Sequence, residues 1–158
     1  MHRPEGRRRR RVAGFTLIEL LIVVAIIGLI AAIAIPNLRN AMDRAKQNRT
    51  LADIKAIGTA LEQYAVDNNT YPRGLADANA ATLGSYVSPL YIRNVPAGDG
   101  WNNPWHVETN ASGTIYTITS YGRDGMPGPT PGGPTADLNC DIIYSNNSFY
   151  QWPQGAQQ

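Results

Sequence analysis

The chain has 158 residues, enough for one modest globular domain, and a formal net charge of +2. Six of its fourteen Lys and Arg residues precede Gly14. From Phe15 onward there are eight basic and eleven acidic residues, which gives this part a net charge of −3. That negative charge argues against nucleic-acid binding by the folded part. The single cysteine, Cys140, excludes an intrachain disulfide and a zinc site built on several thiolates.

Residues 1–14 are polar and include an uninterrupted arginine cluster from Arg7 to Arg11. Such a stretch cannot bury a core, so it is predicted to be a cleaved basic leader peptide. Basic residues beside an apolar segment stay on the cytoplasmic side of a membrane, which predicts a cytoplasmic N-terminus. Nucleic-acid binding by this cluster is the less favoured interpretation.

The segment from Phe15 to Ile35 is apolar except for Thr16 and Glu19. It fits three interpretations: a secretory signal cut after Ala34, a single-pass anchor, or a helix that first spans the membrane and later packs against copies of itself. About 20 residues in a helix cross a bilayer core of roughly 30 Å. Glu19 favours the third interpretation, because a carboxylate in an apolar segment is costly unless a partner compensates it.

Pro36 removes a backbone donor and predicts a kink, but the helical pattern continues beyond it. Apolar residues recur at spacings of three and four, and those from Ile54 to Tyr64 are expected to face a core. Turn formers after Asp67, followed by Pro72, end the pattern. The sequence therefore predicts one helix over about residues 15–68.

Residues 73–104 are predicted to form a loop with one short helical turn between Ala76 and Tyr86. Strands are predicted at 105–108 and 114–121, and a further hairpin at 141–144 and 148–152. The stretch 122–140 contains four prolines and five glycines and is predicted to be a loop. Trp105 and Tyr116 are expected in the core.

The predicted fold class is α+β, with a long N-terminal helix, kinked near Pro36, packed on a small C-terminal antiparallel sheet. Its predicted domains are the leader (1–14), a transmembrane and assembly helix (15–36) and a globular domain (37–158).

The run Gly14-Phe15-Thr16-Leu17-Ile18-Glu19, followed by an apolar helix and Pro36, resembles the N-terminus of the type IV pilin and type II secretion pseudopilin superfamily. The resemblance implies the pilin fold, cleavage between Gly14 and Phe15 by a prepilin peptidase, and N-methylation of Phe15. It also implies that Glu19 of one subunit lies near the Phe15 amine of another. Two such charges compensate each other only in the correct axial stagger.

The block from Asp99 to Trp105 resembles a block of the major pseudopilins, and the segment from Ser120 to Gly125 resembles their calcium-binding loop. The resemblance implies calcium binding by oxygen ligands, which calcium requires. The implied ligands are the side chains of Ser120, Asp124, Asp137 and Asp141 and the backbone carbonyl of Tyr121. This chain departs from the family pattern in two ways. Residues 126–135 contain no acidic residue, and residues 138–140 separate Asp137 from Asp141. In the alternative interpretation, the aspartates cap turns in a loop stiffened by proline.

The resemblance implies a structural subunit of a helical type II secretion pseudopilus, assembled from the inner membrane to drive protein export. The alternative is the major pilin of a type IV pilus, which serves adhesion, motility or DNA uptake. The implied partners are other copies of the chain, the prepilin peptidase, minor pseudopilins or pilins, and an inner-membrane assembly platform. The C-terminal domain is expected in the periplasm and later in an extracytoplasmic filament.

Enzymatic activity is not expected. After Gly14 the chain has one histidine, His106, and one cysteine, so a Cys/His nucleophilic pair would need both in one place. His106 lies in a strand next to Trp105, where a structural role is favoured. Cys140 is expected to be a small buried apolar residue rather than a reactive or intermolecular thiol.

Overall fold

A computed structural model describes residues 14–155. The leader predicted at residues 1–14 lies outside the described residues except for Gly14. In chain order the elements are α1 (Leu17–Asn68), α2 (Ala80–Val87), β1 (His106–Thr109), β2 (Tyr116–Ser120), β3 (Gly133–Thr135), β4 (Ile142–Ser145) and β5 (Ser148–Pro153). The chain consists of two compact units, with Arg39 ending the first and Asn40 beginning the second.

The first unit contains the N-terminal part of α1, which exposes its apolar side chains. Leu17 is 88% exposed and Ile33 is 63% exposed. By length and composition alone, α1 is able to cross a membrane. Pro36 lies inside the helix without ending it, so the predicted long helix is confirmed, whereas the kink remains a prediction.

The second unit has a core formed by one face of α1 and one face of a sheet. Ile54, Ile57 and Leu61 have no exposed surface, and they share a cluster with Val107 and Ile118 of the strands. The predicted core face of the helix is therefore confirmed. Met42 belongs to the same apolar periodicity but is 53% exposed, so the stripe extends beyond the part that the core covers.

Close contact between α1 and the sheet depends on a glycine. A Cβ atom at Gly58 would lie 2.5 Å from the ring of Tyr144 on β4, closer than any two carbon atoms pack. Trp105 and Tyr116, both expected in the core, are 1% and 0% exposed.

The five strands form one mixed sheet in the order β1-β2-β4-β5-β3. Four strands pair antiparallel, as predicted, and β3 pairs parallel to β5. β3 falls inside the stretch predicted to be a loop, because its residues, Gly133-Pro134-Thr135, are poor strand formers. Its place at the edge of the sheet accounts for this composition, since an edge strand tolerates a residue without a backbone donor.

The opposite edge of the sheet, β1, is covered by the segment before α2. The backbone N–H groups of Ala78 and Val107 each donate to the other residue's carbonyl, at 2.8 and 3.0 Å. The Thr109 N–H donates to the Leu75 carbonyl at 2.9 Å. Residues 74–78 thus satisfy the outer backbone groups of β1.

Turn residues place the hairpins where the sequence predicts them. Asn146 and Asn147 join β4 to β5 with φ angles of 44° and 65°, the left-handed conformation that tight two-residue turns require. The predicted helical turn is α2, capped by the Asn79 side chain, which accepts from the Thr82 N–H at 3.0 Å.

Tyr71 ties the chain that follows α1 back onto the helix. Its hydroxyl lies 3.0 Å from both carboxylate oxygens of Glu62, and its ring packs edge-on against Tyr116 at 4.8 Å. Burial, and then the hydrogen bond and charge of Glu62, raise the pKa of Tyr71 to about 12. The protonated hydroxyl is therefore the form that stabilises the fold.

We expect Tyr71→Phe to lower the free energy of unfolding by about 1–2 kcal/mol at neutral pH, because Glu62 loses its donor. Since the pKa is raised in the folded state, this contribution is complete below pH 10 and is lost as the pH rises through about 12. Denaturant unfolding of the detergent-solubilised chain from pH 7 to 11 measures it. Tyr150→Phe, at a 52% exposed position, is the control and should change little. A difference between wild type and Tyr71→Phe that does not shrink above pH 10 would contradict the prediction.

Candidate assembly and metal-binding sites

Glu19 caps the N-terminus of α1. Its Oε2 accepts from the backbone N–H of Thr16 at 3.2 Å, and the Thr16 hydroxyl accepts from the Glu19 N–H at 3.3 Å. This reciprocal pair is a capping box, which satisfies two backbone donors that a helix N-terminus leaves open. The sequence reasoning missed this role, although the Thr-x-x-Glu spacing is its usual signature.

The predicted partner of Glu19 is the Phe15 amine of another copy. That amine exists only after the leader has been cleaved. In this chain the side chain of Phe15 is 78% exposed just before the first turn. Gly14 is exposed as well, and a Cβ atom there would meet nothing within 4 Å, so the Gly14–Phe15 bond is accessible. Cleavage at this bond and pairing between copies remain predictions.

Asp99 organises the block that resembles the major pseudopilins. It is 2% exposed. One carboxylate oxygen accepts from the backbone N–H groups of Trp101 and Asn103 at 2.9 and 2.8 Å. The other accepts from the Ser120 hydroxyl at 2.6 Å. Asp99 is thus a buried turn-forming carboxylate that connects the turn to the end of β2.

The same turn is attached to α1. The Gly100 N–H donates to the Thr50 hydroxyl at 2.9 Å, and that hydroxyl donates to the Lys46 carbonyl at 3.0 Å. A Cβ atom at Gly100 would lie 2.1 Å from the Lys46 carbonyl oxygen, so only glycine fits against the helix. The Trp101 indole donates to Asp43 at 3.4 Å.

The structure places two predicted calcium ligands, Ser120 and Tyr121, at the end of β2. Ser120 has no exposed surface and directs its hydroxyl at Asp99. The ring of Tyr121 stacks on His106, with ring centres 4.0 Å apart, and His106 in turn contacts the Asp77 carboxylate. The side chains of Ser120 and Tyr121 thus both have partners within the chain. The family resemblance implies the backbone carbonyl of Tyr121, not its side chain, as the calcium ligand.

The three aspartates of the loop each accept a hydrogen bond from a backbone N–H. Asp124 accepts from the Met126 N–H at 3.1 Å, and Asp137 accepts from the Asn139 N–H at 3.0 Å. Asp141 is 2% exposed and accepts from the Gly128 N–H, which lies 3.2 and 3.1 Å from its two oxygens. Among residues 14–155, no three His, Cys, Asp or Glu side chains gather closely enough to hold a metal ion.

Asp141 nevertheless experiences the negative charge of this loop. Burial raises the pKa of Asp141, and the nearby Asp124 raises it further, while the Gly128 N–H and His106 lower it. The carboxylates of Asp124 and Asp141 therefore repel each other electrostatically. Carboxylate oxygens are among the ligands that calcium prefers. They fit a calcium ion in chemistry, but in this arrangement each is satisfied by a backbone N–H.

The two ends of the loop meet next to Gly122. The Arg123 N–H donates to the Leu138 carbonyl at 3.0 Å, and the Arg123 guanidinium reaches Asn139 at 3.0 Å and Asp43 of α1 at 3.5 Å. Cys140 is half-buried rather than fully buried, and burial, then Asp137 and Asp141, raise the pKa of its thiol. A raised pKa keeps the thiol protonated and poorly nucleophilic.

Comparisons with known proteins match two parts of the chain. A family model described as type II secretion system protein G matches residues 37–139. A model of the prokaryotic N-terminal methylation motif matches residues 9–35. The chain is 36% identical over 129 residues to the type II secretion system core protein G of Aeromonas hydrophila, covering 77% of this chain and 90% of that relative. It is 35% identical over 123 residues to the core protein G of Escherichia coli, covering 73% and 84%, respectively. The predicted resemblance is thereby confirmed.

We expect Gly100→Ala to lower the free energy of unfolding by about 1–3 kcal/mol, because the new methyl group meets the backbone of α1 and forces the turn away. Gly84→Ala is the matched control. Its Cβ atom would lie 3.9 Å from Val95, an ordinary contact, and alanine favours the helix, so stability should stay equal or rise. Denaturant unfolding measures the free energy of unfolding of the two purified variants. Equal values for Gly100→Ala and Gly84→Ala would contradict the close approach of Gly100 to α1.

Proposed function

This chain belongs to the type II secretion system protein G family, and we propose that it is the repeating structural subunit of a pseudopilus that drives protein export. The observation that carries the proposal is the N-terminal part of α1, an exposed apolar helix with one carboxylate in its first turn. This surface is stable only against lipid or against other apolar helices. Because the matched relatives are secretion proteins, the pseudopilus is favoured over a type IV pilus.

In the membrane, the apolar segment anchors the subunit. The arginine cluster that precedes it favours a cytoplasmic N-terminus, which puts the C-terminal unit in the periplasm. The capping box lowers the cost of Glu19 there, because the carboxylate accepts a backbone N–H that lipid cannot satisfy. A prepilin peptidase cleaves between Gly14 and Phe15 and methylates Phe15. The match of the N-terminal methylation motif supports this step.

In the filament, neighbouring copies cover the apolar surface. Cleavage leaves a cationic amine on Phe15, four residues before Glu19. The Glu19 carboxylate of one copy pairs with the Phe15 amine of another, and the pair fixes the axial register. An inner-membrane platform adds subunits, minor pseudopilins begin or end the filament, and its growth moves secreted proteins outward.

Substitutions at Glu19 and Thr16 separate the two roles of the Glu19 carboxylate, which are helix capping and ion pairing. Glu19→Gln keeps a capping side chain but loses the charge, whereas Thr16→Val keeps the charge and loses the hydroxyl of the cap. If the ion pair controls assembly, Glu19→Gln and Glu19→Ala both insert into the membrane and lose nearly all filaments, while Thr16→Val still assembles. The measurements are membrane fractionation and the amount of sheared filament. Normal filament yield from Glu19→Gln would show that capping alone is the role of Glu19.

We also propose that calcium binds the loop that Asp124, Asp137 and Asp141 flank, with Ser120 and the Tyr121 carbonyl at its start. Repulsion between Asp124 and Asp141 supports the proposal, because a divalent cation would relieve it. Binding would require the aspartates to exchange backbone N–H contacts for the ion. The ion would stiffen the loop, which lies against α1 through Arg123 and Asp43.

Thermal unfolding of the detergent-solubilised chain in calcium or in chelator tests this site. We expect calcium to raise the midpoint of the wild type, since a ligand at 100 times its Kd stabilises a fold by about 2.7 kcal/mol. Asp124→Asn should lose the increase. Asp67→Asn changes an exposed acid whose hydrogen bond is to Tyr91, outside the loop, and should keep it. The absence of any shift in the wild type, or an equal shift in Asp124→Asn, would contradict calcium binding here.

A further inference from the structure

The C-terminal unit carries a groove that is lined by both polar and apolar residues. The groove has a volume of about 660 Å³ and lies between α1 and the β3 side of the sheet. One wall is a face of α1, and the other is formed by β3 and the residues that follow β3 and β5. The side chains with polar ends that line this α1–β3 groove are Asn40, Arg44, Gln47, Asn48, Thr135 and Gln154.

These side chains suit a carboxylate. Arg44 is exposed, and none of the hydrogen bonds or ion pairs found within residues 14–155 involves its guanidinium. A guanidinium offers five donors in a planar fork, and the side-chain amides around it add further N–H donors. Among residues 14–155, no acidic residue lines the groove. An incoming carboxylate would therefore find donors on several sides and no repelling charge.

One exposed carboxylate of the C-terminal unit lacks a partner of its own. Each of the other exposed acids between residues 40 and 155 accepts a hydrogen bond: Asp67 from Tyr91, Asp77 from His106, Asp124 from Met126 and Asp137 from Asn139. Glu108 is exposed on β1, and in this range no hydrogen bond or ion pair engages its carboxylate.

Glu108 and the groove lie at opposite edges of the sheet. β1 is one edge strand and β3 is the other, with three strands between them. At about 4.8 Å per strand spacing, the two edges are roughly 19 Å apart. The Glu108 carboxylate therefore cannot reach Arg44 in its own chain, but it can reach Arg44 of an adjacent copy. A contact between two different surfaces of identical chains repeats from copy to copy, and it builds a helical array where the rotation does not close into a ring.

We propose that Glu108 of one copy enters the α1–β3 groove of the next copy and pairs with Arg44. The inference rests on the proposed pseudopilus, in which copies stand side by side, and names a contact between their globular parts. A single exposed ion pair contributes little affinity, so its role is to select the orientation of each added subunit. The contact is independent of the Glu19 pair, which belongs to the apolar segment.

Cysteine cross-linking in assembled filaments tests the contact. In a Cys140→Ser background, the full chain is given Arg44→Cys, Glu108→Cys or both, and filaments are treated with a thiol oxidant or a short bismaleimide. We expect the double-cysteine chain to form a ladder of multimers. Co-expression of the two single-cysteine chains should form dimers only, because each chain then has one reactive end. Each single-cysteine chain alone should stay monomeric.

Two controls separate this contact from general crowding and from the proposed function. Arg93→Cys combined with Glu108→Cys uses an exposed arginine outside the groove and should give no ladder. Adding Glu19→Ala to the Arg44→Cys/Glu108→Cys chain should remove both filaments and ladder. Filaments that depend on Glu19 but give no ladder would overturn this inference and leave the proposed function standing. An absence of filaments from the unmodified chain would remove both.

Charge exchange supplies a second measurement that does not depend on cross-linking. Arg44→Glu and Glu108→Arg should each lower filament yield roughly tenfold, because like charges then oppose each other across the contact. The double variant, in which the charges are swapped, should recover most of the yield. Full yield from either single variant, or no recovery in the double variant, would overturn the pairing.

Discussion

The apolar surface on the N-terminal part of α1 must always be covered, and the other properties of this protein depend on that requirement. Each Å² of apolar surface taken from water is worth about 25 cal/mol, so the fourteen large apolar residues exposed between Phe15 and Ile35 cannot remain in solvent. A bilayer and a bundle of identical helices both satisfy the requirement. A subunit could therefore move from one to the other without refolding. In the proposed filament, Glu19 would distinguish the two environments, because only the bundle would offer it a cation.

The C-terminal unit shows how a small sheet is held on such a helix. Asp99 is buried and uses both oxygens to arrange one turn, while Gly100 lets the backbone of that turn rest on α1. The loop with the predicted calcium ligands is attached at the same place, through Asn103 to Gly122 at 2.7 Å and through Arg123 to Asp43. An ion in that loop would therefore stabilise the attachment of the sheet to α1 as well as the loop itself.

Periodic and turn-forming residues allowed most of the fold to be predicted from the sequence. Local sequence patterns predict the span of α1, its core face and the β4–β5 hairpin at Asn146-Asn147. They also predict the burial of Trp105 and Tyr116. β3 could not be predicted, because a Gly-Pro-Thr strand exists only through its pairing with β5. The bond between Asp99 and Ser120 spans 21 positions and leaves no local pattern, whereas the capping box at Thr16 was present in the sequence and was overlooked.

The two edges of the sheet have a consequence for how subunits can associate at high local concentration. β1 has its outer backbone groups paired with residues 74–78, and β3 is three residues long and includes Pro134, which has no N–H to offer. Neither edge provides a template for an incoming strand, so the domain resists the cross-strand association that leads to amyloid-like aggregates. Contacts between copies are left to side chains and helix surfaces, which separate again readily.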